Sequence, residues 1–180
     1  MTVILETERL ILRPFDQKDA ADVQRLAGDA EIAKTTLSIP HPYEDGVAKS
    51  WIDSLHKFAQ FGTMFGFAIV NKENAHLYGC MTLQITPQHQ HGELAYWLGK
   101  SYWNKGYTTE AARALIQHGF HQFDLNRIFA RTMTKNIASS QVMLKNGMQF
   151  EGVLKQHFFK DGQFEDIAYY GILREDHKND

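Results

Sequence analysis

Between Glu93 and Phe123 the chain changes its hydrophobic period, and that change sets a strand–loop–helix junction at its centre. Glu93–Leu98 reads as a strand. From Thr108 to about Phe123, the residues Ala112, Leu115, Ile116, Phe120 and Phe123 form one inward stripe, which predicts an amphipathic helix. The loop between them centres on Gly106, with Lys105 beside it. A junction of this kind points several backbone N–H groups at one spot, and the helix dipole favours an anion there. Glycine lets the backbone approach a ligand closely. The outline is that of a pyrophosphate cradle, although turn geometry alone also produces strand–glycine–helix junctions. Neither G-x-G-x-x-G nor G-x-x-x-x-G-K-[ST] is present, which counts against the nucleotide-binding folds.

The flanking segments supply the rest of an α/β layer fold. Arg9–Arg13 alternates charge with bulky apolar groups, as a half-buried strand does. Pro14 stops it, and Asp16 stands where a helix N-cap belongs, ahead of Ala20, Val23 and Ala27. Pro40 and Pro42 make residues 38–42 a loop. A second helix follows, with Val47, Trp51, Leu55 and Phe58 on one face. Met64–Val70 is apolar throughout and suits a central strand, whereas Leu77, Gly79, Met81, Leu83 and Ile85 alternate with more polar neighbours. Asn71–Asn74 between them is turn chemistry. Arg127–Thr134 reads as a strand, and Ala138–Asn146 as a helix closed by Gly147. Phe150–Phe159 and Phe164–Ile172 pair across Asp161-Gly162, a strong hairpin signal. The order is strand, two helices, three strands, helix, strand, helix and hairpin. That mixed order argues against a purely Rossmann-like array.

Size and charge narrow the function classes. At 180 residues the chain is read as one domain spanning 1–180, without repeat or linker. A net charge of −2, with no lysine or arginine run, lacks the footprint of a nucleic-acid binder. Glu6, Glu8, Arg9 and Arg13 interrupt any signal-peptide core, and no apolar run reaches membrane-spanning length, so no membrane association and a cytoplasmic location are expected. Cys80 is the single cysteine, which excludes a disulfide within the chain. It sits in a strand pattern and reads as a small core side chain.

The run Tyr96-Trp97-Leu98-Gly99, followed by Trp103-Asn104-Lys105-Gly106-Tyr107-Thr108-Thr109-Glu110-Ala111, resembles the acetyl-CoA motif Q/R-x-x-G-x-G/A of the GNAT superfamily. The match is closest to the ribosomal-protein N-acetyltransferase (RimJ/RimL-type) branch. Asn136-Ile137-Ala138-Ser139 with Gly147-Met148-Gln149-Phe150 resembles that branch's N-x-x-S…G-F element. Thr7–Phe15 resembles its opening strand, and Asp166, Tyr170 and Leu173–Glu175 its last one. The four elements agree in order and run nearly end to end. Two positions depart from the pattern. Trp103 stands at the Q/R position, and Thr108 at the final G/A position, where its hydroxyl offers a helix cap instead.

The resemblance implies a GNAT fold, with a mixed, mostly antiparallel central sheet of about seven strands flanked by helices on both faces. It implies an acetyl-CoA-dependent N-acetyltransferase with acetyl-CoA as co-substrate. The backbone around Trp97 and Leu98 is expected to receive the pantetheine arm as if it were a neighbouring strand. Amides from Lys105 through Gly106, Tyr107 and Thr108 to Thr109 are expected to take the pyrophosphate, provided the Glu110 carboxylate points away. Asn136 is expected to bond the cofactor, or to be a turn or cap residue.

Attack by a neutral amine on a thioester needs a base, and the departing thiolate needs a proton. Glu93 is a candidate base, or an ordinary strand-end charge. Ser139 is the candidate acid, or a helix-start residue satisfying backbone donors. Tyr43, Trp51 and Phe61 are candidates for the acceptor pocket, with core packing the alternative for Trp51. Asp166 also belongs among the substrate-binding candidates, although a strand charge paired with an arginine reads identically. His89 with His91, and His118 with His121, have metal-compatible spacings, but no third ligand is tied to either pair and no metal is expected. The acceptor is a primary amine, either a protein N-terminus or a small molecule such as a polyamine, amino acid or aminoglycoside. A non-catalytic acyl-CoA sensor is the alternative to an enzyme, and the oligomeric state is monomer or homodimer.

Overall fold

The computed structural model describes residues 3–177. One eight-stranded sheet organises them, in the order β1-β2-β3-β4-β5-β6-β8-β7. The strands are β1 (Leu5–Glu6), β2 (Leu10–Pro14), β3 (Met64–Asn71), β4 (Leu77–Thr86), β5 (His91–Leu98), β6 (Arg127–Met133), β7 (Gln149–Lys160) and β8 (Gln163–Leu173). The helices are α1 (Ala20–Ala27), α2 (Ala30–Thr35), α3 (Val47–Gln60), α4 (Tyr107–Gln122), α5 (Ile137–Lys145) and α6 (Arg174–His177). The sheet has one strand more than the seven expected, because β1 adds a two-residue edge to β2. Helix α2 was not foreseen either. Its six residues are too few for a hydrophobic period, but Asp29 caps it by accepting the Glu31 N–H.

Each face of the sheet carries its own core. On one face α1 and α3 pack through Val23, Ala48, Ile52 and Leu55 onto Ala68, Val70 and Cys80. On the other, α4 packs through Ala111, Leu115, Ile116 and Phe120 onto Leu10, Leu12, Ile69, Met81 and Leu83. Burial on both faces is why residues 77–81 of β4 are all buried, in place of the expected alternation. The α3 stripe also shifts. Its core residues are Ala48, Ile52 and Leu55, Phe58 is 44% exposed, and Val47 and Trp51 turn toward a cleft. Period alone gave the helix but could not separate its core face from its cleft face.

Local chemistry pins the turns. Asp16 accepts from Lys18 N, and Asp19 answers from the Asp16 N–H, forming a capping box ahead of α1. Asn71 Oδ1 accepts the Glu73 and Asn74 N–H groups in the β3–β4 turn. Asp161 (φ 49°) and Gly162 (φ 80°) both take the left-handed conformation that a tight hairpin requires.

The sheet's decisive feature is its one parallel pairing. β5 and β6 pair only through His91↔Arg127, Gly92↔Ile128 and Glu93↔Phe129. Beyond Glu93, β5 stays with β4 as far as Gly79↔Leu98, while β6 stays with β8 as far as Met133↔Ile167. The sheet therefore opens into a V between residues 94–98 and 130–133.

Candidate active site

A cleft of about 930 Å³ runs through that opening. Ala95, in mid-strand, is exposed on it. The ladder to β6 stops at Glu93, so the β6-facing amides and carbonyls of residues 94–97 have no strand partner among the described residues. They form the free edge onto which an extended, amide-bearing arm can add. At the end of that edge the Leu98 carbonyl accepts Trp103 Nε1–H at 2.6 Å. Trp103 thus fastens the loop to the strand, which is a sufficient reason for an indole at the Q/R position.

The Gly106 loop has the backbone form of a strand–glycine–helix junction. Gly106 (φ 79°) is the N-cap of α4, and Asn104 (φ 60°) is also left-handed. A Cβ at Gly106 would meet only Arg9 Nη2, at 3.4 Å, so the glycine answers to backbone conformation more than to crowding. Tyr107, Thr108 and Thr109 open the helix with N–H groups that α4 itself cannot satisfy. Thr108 is a helical residue inside the first turn and not the cap; Gly106 caps, and the Thr108 side chain lines the cleft. Lys105 lies outside the lining, where Nζ donates to the Ser101 carbonyl at 2.9 Å.

Glu110 turns away from the cradle. Its carboxylate accepts from Thr7 Oγ1 at 2.6 Å, from Arg9 N at 2.8 Å and from Arg9 Nε at 2.7 Å. Burial alone raises its pKa, but these donors bring it below the usual carboxylate value. Arg9 also donates to the Lys105 carbonyl at 3.0 Å and lies 4.5 Å over the Tyr107 ring. The opening segment is thus a buttress for the Gly106 loop, which could not be read from Arg9 in a strand pattern.

Strand alternation sorts the β5 side chains between the two sides of the sheet. Trp97 pairs across from Cys80 and packs with the α1–α3 core. Ala95 and Glu93, two and four residues earlier, share that side. Leu94, Tyr96 and Leu98 belong to the α4 side. Glu93 Oε1 is held by Arg131 Nε at 2.7 Å. Tyr96 Oη lies 2.9 Å from Ser139 Oγ and 3.1 Å from the Ser139 carbonyl. Burial pushes the Tyr96 phenol up to about 12, with the Ser139 hydrogen bond working against it. Asn136 caps α5, its Oδ1 accepting Ser139 N–H at 3.2 Å while Nδ2 donates to the Thr35 carbonyl at 3.0 Å. It is therefore a cap that also ties α5 to α2.

Of the acceptor-side candidates, Tyr43 and Trp51 line the cleft. Phe61 is 79% exposed and lies outside it. Asp166 is also outside, accepting the Gln156 N–H at a β7 irregularity. Tyr96 and Arg131 were the residues missed. The first was visible in the alternation of β5, and the second only in three dimensions. Cys80 is buried, and burial pushes its thiol up, far from a reactive thiolate. His89 and His91 stack at 5.7 Å, and no group of three metal-capable side chains occurs among the described residues.

A model of the acetyltransferase (GNAT) domain family matches residues 9–149. The chain belongs to the GNAT acetyltransferases. The Uncharacterized N-acetyltransferase YnaD of Bacillus subtilis (strain 168) is 32% identical over 179 residues, covering 96% of this chain and 98% of its own. The ribosomal-protein-serine acetyltransferase of Escherichia coli (strain K12) is 34% identical over 90 residues, half of each chain. The spermidine N(1)-acetyltransferase of the same strain is 24% identical, covering 91% of this chain and 85% of its own. An acetyltransferase of the GNAT family from Bacillus anthracis superposes with a TM-score of 0.85 at 27% identity, covering 96% and 99% of the two chains. The ribosomal L7/L12 α-N-protein acetyltransferase RimL, in complex with coenzyme A, gives 0.88 at 20% identity, covering 95% and 98%.

This GNAT chain is an acetyl-CoA-dependent N-acetyltransferase, and its acceptor is an amine. The open β5 edge and the Gly106 cradle fit the co-substrate's amide-bearing arm and its phosphates. Among the described residues no helix is long and apolar enough to cross a membrane.

Proposed function

We propose that the acceptor nitrogen is a primary α-amine, as at a protein N-terminus, and that it attacks the thioester directly from the α1–α3 side of the V. The observation that carries this reading is the split of β5. Glu93 is on the acceptor side, and Tyr96 with Ser139 is on the cofactor side. An α-amine titrates near 7.7–8.0, so a sizeable fraction is already neutral at pH 7, whereas a lysine ε-amine near 10.4 needs a strong base. Glu93 is the one carboxylate among the residues lining the cleft, and Arg131 engages it. That arrangement suits modest help, given directly or through a water.

The hydroxyl pair is better suited to hold charge than to give up a proton. A phenol near 12 is a much weaker acid than a thiol, whose reference value is about 8.5. Full transfer from Tyr96 to the departing thiolate is uphill. Tyr96 and Ser139 instead donate hydrogen bonds to the developing sulfur charge, and the proton shed by the attacking nitrogen completes the thiol. One relative, the ribosomal-protein-serine acetyltransferase, is named for a protein acceptor.

The test is acetyl-CoA turnover with a free-N-terminus peptide, an Nα-blocked lysine peptide and spermidine. The α-amine peptide is expected to be preferred by at least tenfold in kcat/KM. Equal or better turnover of the blocked lysine peptide or of spermidine overturns the reading.

A further inference from the structure

The acceptor side of the cleft has a chemistry of its own. Half-buried apolar or aromatic residues line it, among them Ile39, Tyr43, Trp51, Met64, Trp97 and Phe158. The first five rest on the α1–α3 core without being absorbed into it. Trp51 is held edge-on against Phe15, with ring centroids 5.0 Å apart. Phe158 comes from the β7–β8 hairpin, whose Lys160 ammonium donates to the Ala33 and Thr36 carbonyls at the end of α2. The hairpin and the loop after α2 are thereby clamped into one apolar rim.

Charge on the lining is equally informative. Glu93 is its one carboxylate and already faces Arg131, while Lys145 adds a further cation. A polycationic amine entering this cleft would meet on its lining one carboxylate, already paired with Arg131, beside the cation of Lys145. A singly charged amine with an apolar body meets neither penalty.

We infer that the acceptor carries a bulky apolar group on the carbon next to its amine, and that Ile39, Tyr43, Trp51, Met64, Trp97 and Phe158 form the subsite for that group. The inference rests on the α-amine reading for the nitrogen and adds the substrate class. A free apolar amine and a peptide with an apolar first residue share this chemistry, so the assay contains both.

The assay measures CoA thiol release with tetrapeptides that differ only in a first Phe, Leu, Ser or Asp, and with phenylalaninamide, 2-phenylethylamine and spermidine. The Phe and Leu peptides are expected to exceed the Ser and Asp peptides by tenfold or more in kcat/KM, chiefly through KM. That size matches the discrimination apolar pockets give. Phe158→Ser, at a half-buried rim position where folding is checked by circular dichroism, is expected to narrow the Phe-to-Ser ratio to below threefold. Ser or Asp peptides turning over as well as the Phe peptide overturn the inference while leaving the α-amine reading intact, and spermidine turning over as well as the Phe peptide overturns both. Turnover of 2-phenylethylamine but of no peptide or phenylalaninamide overturns the α-amine reading and keeps the apolar subsite. If nothing turns over, calorimetric titration of CoA-saturated protein decides. Binding of phenylalaninamide and not spermidine supports the subsite, and any other pattern overturns it.

Discussion

The Tyr96 hydroxyl lies 2.9 Å from Ser139 Oγ, so the middle of the cofactor strand is joined to the first turn of α5 across the open V. Because burial pushes the Tyr96 phenol up to about 12, it stays protonated throughout the neutral range. Tyr96→Phe is expected to lower kcat by about 10²–10³, the effect of losing one donor to developing charge. Ser139→Ala should cost less, and the double variant no more than Tyr96→Phe, since the hydroxyls act as one unit. Single-turnover kinetics on the four proteins checks this. Additive losses would mean two independent roles.

Glu93 belongs to the opposite face of the same strand and should behave differently. Glu93→Gln is expected to reduce kcat/KM for an α-amine acceptor by about 10²-fold, within the range for a positioned base. Its dissociation constant for acetyl-CoA should remain within about twofold of wild type, because the side chain is on the α1–α3 side of β5. Wild-type turnover in this variant removes Glu93 from the mechanism.

What was legible in the sequence follows from which interactions are local. The strand–Gly106–helix junction, the Asp161-Gly162 turn and the Gly147 stop are each written in a few adjacent residues, and all three are present. The short β1 and α2 lack enough residues for a period to show. Where β5 leaves β6 depends on two strands separated by α4, so the V itself has no local signature. The same holds for the pairs Glu93–Arg131, Tyr96–Ser139 and Arg9–Glu110. One partner of each could be named from the motif, but the other is 38 or more positions away. Asp166 shows the reverse case. Its place in a family pattern suggested substrate, whereas it satisfies a backbone N–H in the irregular stretch of β7.

The Gly106 cradle can be tested without turnover. A side chain there must adopt a left-handed conformation, which costs an L-residue about 1–2 kcal/mol, or must move the loop. Gly106→Ala is expected to weaken CoA binding by about tenfold in calorimetry. Asn104→Gly, at φ 60°, relieves such a conformation and should leave the affinity unchanged or slightly better. Equal affinity of Gly106→Ala and wild type would show that the loop does not hold the phosphates through its backbone.

Stability at low pH should depend on the pair beneath α1. Asp19 is nearly buried and receives both Arg13 Nη1, at 2.7 Å, and Nη2, at 2.8 Å. Burial alone raises its pKa, but the Arg13 hydrogen bonds and the Asp16 N–H bring it below the ordinary value. A carboxyl lowered in the folded state contributes its full stability above the unfolded value, about 3.9, and loses it as pH falls through the lower folded value. Asp19→Asn is therefore expected to cost about 1.5–3 kcal/mol at pH 7, the worth of hydrogen bonds to a charged group. Below about pH 4 the gap between variant and wild type should close, because the wild-type carboxyl is then becoming protonated too. Urea unfolding at pH 7, 4 and 3 measures it, and a gap that is the same at all three would show that the Asp19 charge contributes nothing to the fold.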